Sequence, residues 1–320
     1  MNIAIIAIND GFLGYIPTEL TNHGHELKFF EYTSDESIDF KNLCDLLEWS
    51  NVAFFDFVQF PFPKATKLDL GCKIVGRMMG IEAYDTKNIR WENVDHLIMA
   101  PPELERLKFF NKVPPIPITI LPVGTDIHTF IPKEPRVPSK NLCMVNFLFP
   151  RKRIITTIET VAPFLRNGWT LNIQASLSPA WRKDIAQEYA IFINEIIHVL
   201  DLPNDSLNAT TFFPKPQYVE WLQNQDIIIN NSVQEGYAKS VIDACACCVF
   251  PLVYNWMGAK QTYNPEFIFH DQCELRDKIE EWGSHTTEDK IKLSCEARKF
   301  AELHDDRKVA KEIRMIIESV

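Results

Sequence analysis

The segment from Asn230 to Ala244, NNSVQEGYAKSVIDA, holds the residues most suited to chemistry. An apolar run leads into a polar turn, Glu235-Gly236 follow, and a small-residue helical stretch begins. Gly236 lets the backbone come close to a ligand. The amides at the start of the helix, around Gly236, Tyr237 and Ala238, share its positive dipole end and form an anion site. Glu235 in the turn and Asp243 eight residues on add two carboxylates, which accept hydrogen bonds from hydroxyls. A ligand carrying both a diphosphate and sugar or ribose hydroxyls needs this combination. The same residues also fit an ordinary strand, turn and helix, with Glu235 capping and Asp243 solvated. The segment alone does not choose between the two.

Arg151, Lys152 and Arg153 form the second such spot, three cations between a strand and a helix. Arginine grips phosphate through two parallel hydrogen bonds. Exposed charge triplets are also common as solvated turns. Cys245, Cys247 and Cys248 crowd one helix, but no second ligand group at a metal-site spacing accompanies them. They read as a small-residue packing face. Asp56, closing the strand AFFDF, reads first as a strand-end cap. Residues 106–112, RLKFFNK, mix basic and aromatic side chains that suit lipid or glycan contact, and read first as a surface loop.

These residues need elements to hold them. Short apolar runs alternate with amphipathic stretches along the whole chain. Strands are expected at 2–9, 26–31, 51–57, 73–78, 96–100 and 118–123, and again at 141–147, 170–175, 210–213, 226–231, 249–254 and 266–270. Helices are expected at 14–22, 40–49, 153–166, 180–200, 216–223, 238–247 and 273–282, with residues 287–320 wholly helical. Continuous apolar strands separated by helices predict parallel, doubly wound sheets. Seven of the 20 prolines fall between residues 114 and 138, a natural linker. Two α/β domains follow, 1–132 and 133–302, with 303–320 as a terminal helix.

Bulk properties narrow the function. The 320 residues carry a net charge of -10, which disfavours a nucleic acid or an anionic membrane as the main ligand. No stretch reaches the roughly 18 apolar residues that span a bilayer. The eight cysteines are scattered and read as reduced thiols of a cytoplasmic protein.

The Asn230–Ala244 segment resembles the E-x7-E region of retaining GT-B glycosyltransferases, the large family 4 group. It keeps the Ser, the Glu-Gly and the apolar helix face, and puts Asp243 where the second Glu stands. Other pieces follow in the family's order. GFLG at 11–14 and LTNHGHEL at 20–27 resemble its first turn and second strand. GRMMGIEAY at 76–84, LPVGTDIHTFIP at 121–132 and VNFLFPRKRIITTI at 145–158 resemble its later signatures. The resemblance covers almost the whole chain and implies two Rossmann-like domains facing a cleft. It implies transfer of a sugar from a nucleoside-diphosphate sugar to an acceptor hydroxyl, with retention and with no metal or cofactor. Glu235 and Lys152 would be catalytic, Lys152 by neutralising the leaving diphosphate. Arg151, Arg153, Gly236, Tyr237, Ala238 and Asp243 would bind the donor. Gly11, Gly14 and Glu82 would lie on the acceptor side, and the terminal helix would cross back to the first domain. The acceptor itself (glycan, lipid-linked sugar, protein or small molecule) stays open. Phe147 stands where the family has a strand arginine, and Met79 where it has a histidine. Those departures keep two alternatives alive: a GT-B protein that binds without catalysing, and a sugar-nucleotide epimerase, whose acid/base side chains are not identifiable here.

Overall fold

The computed structural model describes residues 1–8, 10–32, 39–69, 71–80, 82–135, 137–176 and 183–320. The chain forms two compact units, one of Met1–Asp126 with His304–Val320 and one of Ile127–Leu303. The sequence reading drew these divisions at 132/133 and 302/303.

In the first unit β1 (Asn2–Ala7), β2 (Glu26–Glu31), β3 (Val52–Asp56), β4 (Lys73–Met78), β5 (His96–Met99) and β6 (Ile118–Ile120) form one sheet. Every pairing is parallel, and the order is β2-β1-β3-β4-β5-β6. Its helices are α1 (Ile16–Asn22), α2 (Phe40–Trp49), α3 (Phe62–Ala65) and α4 (Pro101–Phe109). The second unit holds β7 (Asn141–Phe147), β8 (Thr170–Ser176), β9 (Leu207–Thr210), β10 (Ile227–Asn230), β11 (Phe250–Tyr254) and β12 (Ile268–Phe269). They too are all parallel, in the order β12-β11-β10-β7-β8-β9. Helices α5 (Ile154–Leu165), α6 (Lys183–Leu200), α7 (Lys215–Gln223), α8 (Lys239–Ala246), α9 (Ala259–Thr262), α10 (Gln272–Ser284) and α11 (Thr287–Glu302) belong to this unit. The expected helix 180–200 begins outside the described residues. α12 (Asp306–Ser319) returns to the first unit.

The central strands are apolar at almost every position because both faces are covered: all five residues of β3 are buried, Asp56 included. One face of the first sheet is closed by α12. Its Val309, Ala310, Ile313, Ile316 and Ile317 form a helical stripe packed on Ile3, Ile5, Phe54 and α1. Burying each branched side chain contributes about 1.5–3 kcal/mol.

Three expectations are corrected. The last helical stretch is two helices, because Asp305 caps α12 by accepting from Arg307 N. Residues 106–109 are helical, closing α4, and Arg106 is fully buried rather than part of a surface loop. Pro101 and Pro102 open that helix, where the missing N–H costs nothing. The strand expected at 210–213 lies at β9, Leu207–Thr210, ahead of Phe212-Phe213-Pro214. Gly124 is fixed by packing: a Cβ there would lie 2.7 Å from the Asp306 Cα, where Thr125 N–H reaches His304 O at 2.8 Å. Gly124→Ala is therefore expected to cost about 1–3 kcal/mol through overpacking. A lower denaturant midpoint at unchanged m-value would register it.

Candidate functional site

The order in which the chain adds strands to the second sheet reverses between β7 and β10, which lie side by side. Ligands of open α/β sheets settle at the carboxyl ends of strands at such a reversal. The turn after β7 is a short 3-10 segment, Pro150–Lys152, and the turn after β10 runs from Asn231 to Ala238. Val233 N–H donates to Arg151 O at 3.0 Å and ties the two turns together. Lys152 Nζ then meets Glu235 Oε1 at 2.5 Å, both side chains about nine-tenths buried. Asn230 Nδ2 donates to the same oxygen at 3.1 Å. Burial alone would raise the Glu235 carboxyl. The Lys152 ammonium and the hydrogen bonds around it outweigh burial and hold the carboxyl below its ordinary value.

The turn is braced from behind. Asn231, fully buried, donates to Thr157 Oγ1 of α5 at 3.0 Å and to Gln272 Oε1 of α10 at 3.1 Å. Tyr263 Oη donates to Tyr237 O at 2.9 Å. Sequence reasoning did not single out these braces; the one visible trace was a polar Asn-Asn-Ser at the end of an isoleucine run.

Other expected donor residues fall less simply. The left-handed conformation belongs to Ala238 (φ 51°), which precedes α8, and not to Gly236. Arg153 is also left-handed (φ 50°), and its guanidinium stacks on Tyr254 at 4.5 Å, at the end of β11. Arg151 lies over Phe149 at 5.8 Å. Asp243, read in one alternative as solvated, is buried and takes an ion pair from Lys239 at 2.7 Å one turn back. Phe147 ends β7 with its ring partly exposed, edge-on to Phe212 at 5.4 Å.

No protein family's sequence profile matches the chain, and curated proteins show no significant sequence match. Solved structures do match over the whole length. A glycosyltransferase from Rickettsia africae superposes with a TM-score of 0.77 at 14% identity, covering 99% of this chain and 98% of its own. HepE of Anabaena, in complex with UDP and glucose, gives 0.76 at 13% identity, with all of both chains covered. Sucrose-phosphate synthase of Thermosynechococcus elongatus gives 0.77 at 14% identity, covering 100% and 98%. The chain has the GT-B fold.

In the first unit of this GT-B chain the reversal falls between β1 and β3. Gly14 is left-handed (φ 53°), and a Cβ there would lie 3.3 Å from Asp306 Oδ2. Gly11 sits in the 3-10 turn Asp10–Phe12. Glu82 is buried. Its oxygens accept from Met79 N at 3.3 Å and Gly80 N at 2.5 Å, so it holds its own loop. Met79 is buried as well. Asp56 caps no helix: it is fully buried and accepts from Arg77 Nε at 2.7 Å. Burial pushes its carboxyl up against the pull of that guanidinium. Arg77 Nη2 donates on to Phe12 O at 2.7 Å. The next residue, Phe57, is left-handed (φ 98°), a conformation that costs a bulky side chain about 1–3 kcal/mol. Among the described residues no helix is long and apolar enough to cross a membrane.

Proposed function

We propose that this protein transfers a sugar from a nucleoside-diphosphate sugar to an acceptor hydroxyl. The observation that carries the reading is the Lys152–Glu235 pair at the reversal of the second sheet, beside the start of α8. The buried ammonium keeps the buried carboxylate ionised, and a ligand would separate the two. The diphosphate would take Lys152, with Arg151 and Arg153 as further cations and the amides near Gly236, Tyr237 and Ala238 as donors. Glu235, released, would accept from sugar hydroxyls, and Asp243, exchanging Lys239, from the ribose. The bond from the anomeric carbon to the diphosphate oxygen breaks, one to the acceptor oxygen forms, and the acceptor's hydroxyl proton passes to the departing diphosphate. Lys152 stabilises the charge left on the diphosphate, a fixed electrostatic role. The anomeric configuration would be kept, no metal would be needed, and the first unit, on the side of Gly11, Gly14 and Glu82, would hold the acceptor.

HepE and its UDP complex make uridine nucleotides the first to try. A thermal-shift panel of UDP, GDP, ADP and their sugars tests the donor site. A ligand at a hundred times its dissociation constant adds about 2.7 kcal/mol. Stabilisation by one nucleotide, abolished in Lys152→Met, supports the reading; no shift with any nucleotide sinks it.

Phe147 favours a second reading, a GT-B protein that binds the nucleotide sugar without turning it over, because a partly exposed phenyl ring ends the strand that would point a cation at the phosphates. Incubation with the nucleotide sugar alone separates the readings. A transferase hydrolyses it slowly, a binder leaves it intact, and an epimerase isomerises it.

A further inference from the structure

The first sheet carries its own reversal point, and two phenyl rings sit on it. Phe12 follows β1 and is 37% exposed; Phe57 follows β3 and is partly exposed. Their ring centroids lie 5.3 Å apart, nearly perpendicular at 87°, so together they form an apolar corner.

The corner is held at a cost to the backbone. Phe57 keeps φ at 98°, where glycine would sit without strain. Its N–H donates to Arg77 O at 3.0 Å, pinning that conformation. The Arg77 guanidinium meanwhile bonds Asp56, directly before Phe57, and the carbonyl of Phe12. One buried cation thus fixes both segments that carry the rings. Gly80 lies opposite: a Cβ there would stand 3.6 Å from Phe57 Cε1, so at this position the loop passes the ring without a side chain. A strained, half-exposed aromatic that core packing does not require points to a ligand.

We infer that the Phe12–Phe57 corner is the acceptor subsite and that it takes the ring of a saccharide. A pyranose offers a face of C–H groups to an aromatic surface and hydroxyls around its rim. Two rings on short turns suit a ligand of one ring's size, whereas an alkyl chain needs a long groove. Arg77 and Asp56 are positioning residues here, acting through the two turns. The inference rests on the transferase reading for the word acceptor, but binding at the corner is measurable without turnover.

The test is saturation-transfer NMR of methyl pyranosides on the full chain, with wild type, Phe12→Ser and Phe57→Gly. Phe57→Gly removes the ring while placing glycine where φ is positive, which protects the fold. At least one methyl pyranoside is expected to bind wild type, and both variants should weaken it tenfold or more. The thermal shift given by UDP should persist in both, reporting an intact second unit. Methyl pyranosides that fail to bind wild type, or bind all three proteins alike, overturn the subsite. So does binding that requires an alkyl aglycone. If pyranosides bind through the two rings and no nucleotide shifts the protein, the corner stands as a saccharide site and the transferase reading falls.

Discussion

Lys152→Met is expected to lower sugar transfer by about 10²–10³-fold, the usual loss when one preorganised partner of a developing negative charge is removed. A second effect accompanies it. Glu235 would keep its burial and the Asn230 hydrogen bond but lose the ammonium 2.5 Å away. Breaking a buried pair by deleting one partner costs about 3–5 kcal/mol, because the remaining charge is uncompensated. The carboxyl then escapes by taking up a proton, so its pKa turns from below the ordinary value to above it. Lys152→Met/Glu235→Gln removes both charges and is expected to recover most of the stability and none of the activity. Chemical denaturation and turnover on the two variants separate the roles. Wild-type turnover in Lys152→Met, with only stability reduced, would make the pair a structural ion pair and nothing more.

The sequence made the frame legible where strands are buried on both faces. Runs such as NIAIIA and NLCMVNF cannot sit as surface strands or amphipathic helices, so β1 and β7 were readable to within two residues. Edge elements were not. β9 reads LNAT, mostly exposed, and has no apolar run to announce it. α4 was missed because two prolines after a strand look like a break, although they are good first residues of a helix. In the site, Glu235 stands out in its own segment and Lys152 only through the family resemblance, 83 residues apart. Their direct contact could not, since it depends on β10 returning beside β7. Asp243 shows a further limit. Its helix position was visible, but whether Lys239 or a ligand satisfies it is decided by a four-residue spacing that also makes an ordinary ion pair. The buried charges of the first unit were legible as residues and misjudged as surroundings. Asp56 read as a cap and Arg106 as surface, because one chain in isolation says nothing about which polar side chains share a low-dielectric space.

Those buried charges set the second large expectation, a loss of stability as pH rises from about 5 to 8. Glu82 accepts from Met79 N and Gly80 N, and Glu103 accepts from Ala83 N at 3.3 Å while pairing with Arg106. Arg106 reaches Gly80 O at 3.2 Å, so the two carboxyls brace one loop. Burial raises Glu82 from 4.5 to about 7, beyond what its backbone hydrogen bonds restore. Burial, and then Glu82 itself, raises Glu103 from 4.5 to about 8 against the pull of Arg106. Between 4.5 and about 8 the folded protein holds more protons than the unfolded chain, so its stability declines as pH rises and levels off above the folded values. Each extra proton contributes a slope of up to about 1.4 kcal/mol per pH unit. Glu103→Gln keeps an acceptor for Ala83 N and cannot titrate, so it is expected to remove the Glu103 part of the decline and leave the part that belongs to Glu82. Urea midpoints across this range, for wild type and Glu103→Gln, decide it. A wild-type stability that holds level or rises from pH 5 to 8 would mean that both carboxyls stay ionised beside Arg106, and that the loop is braced by charge instead of by protonated carboxyls.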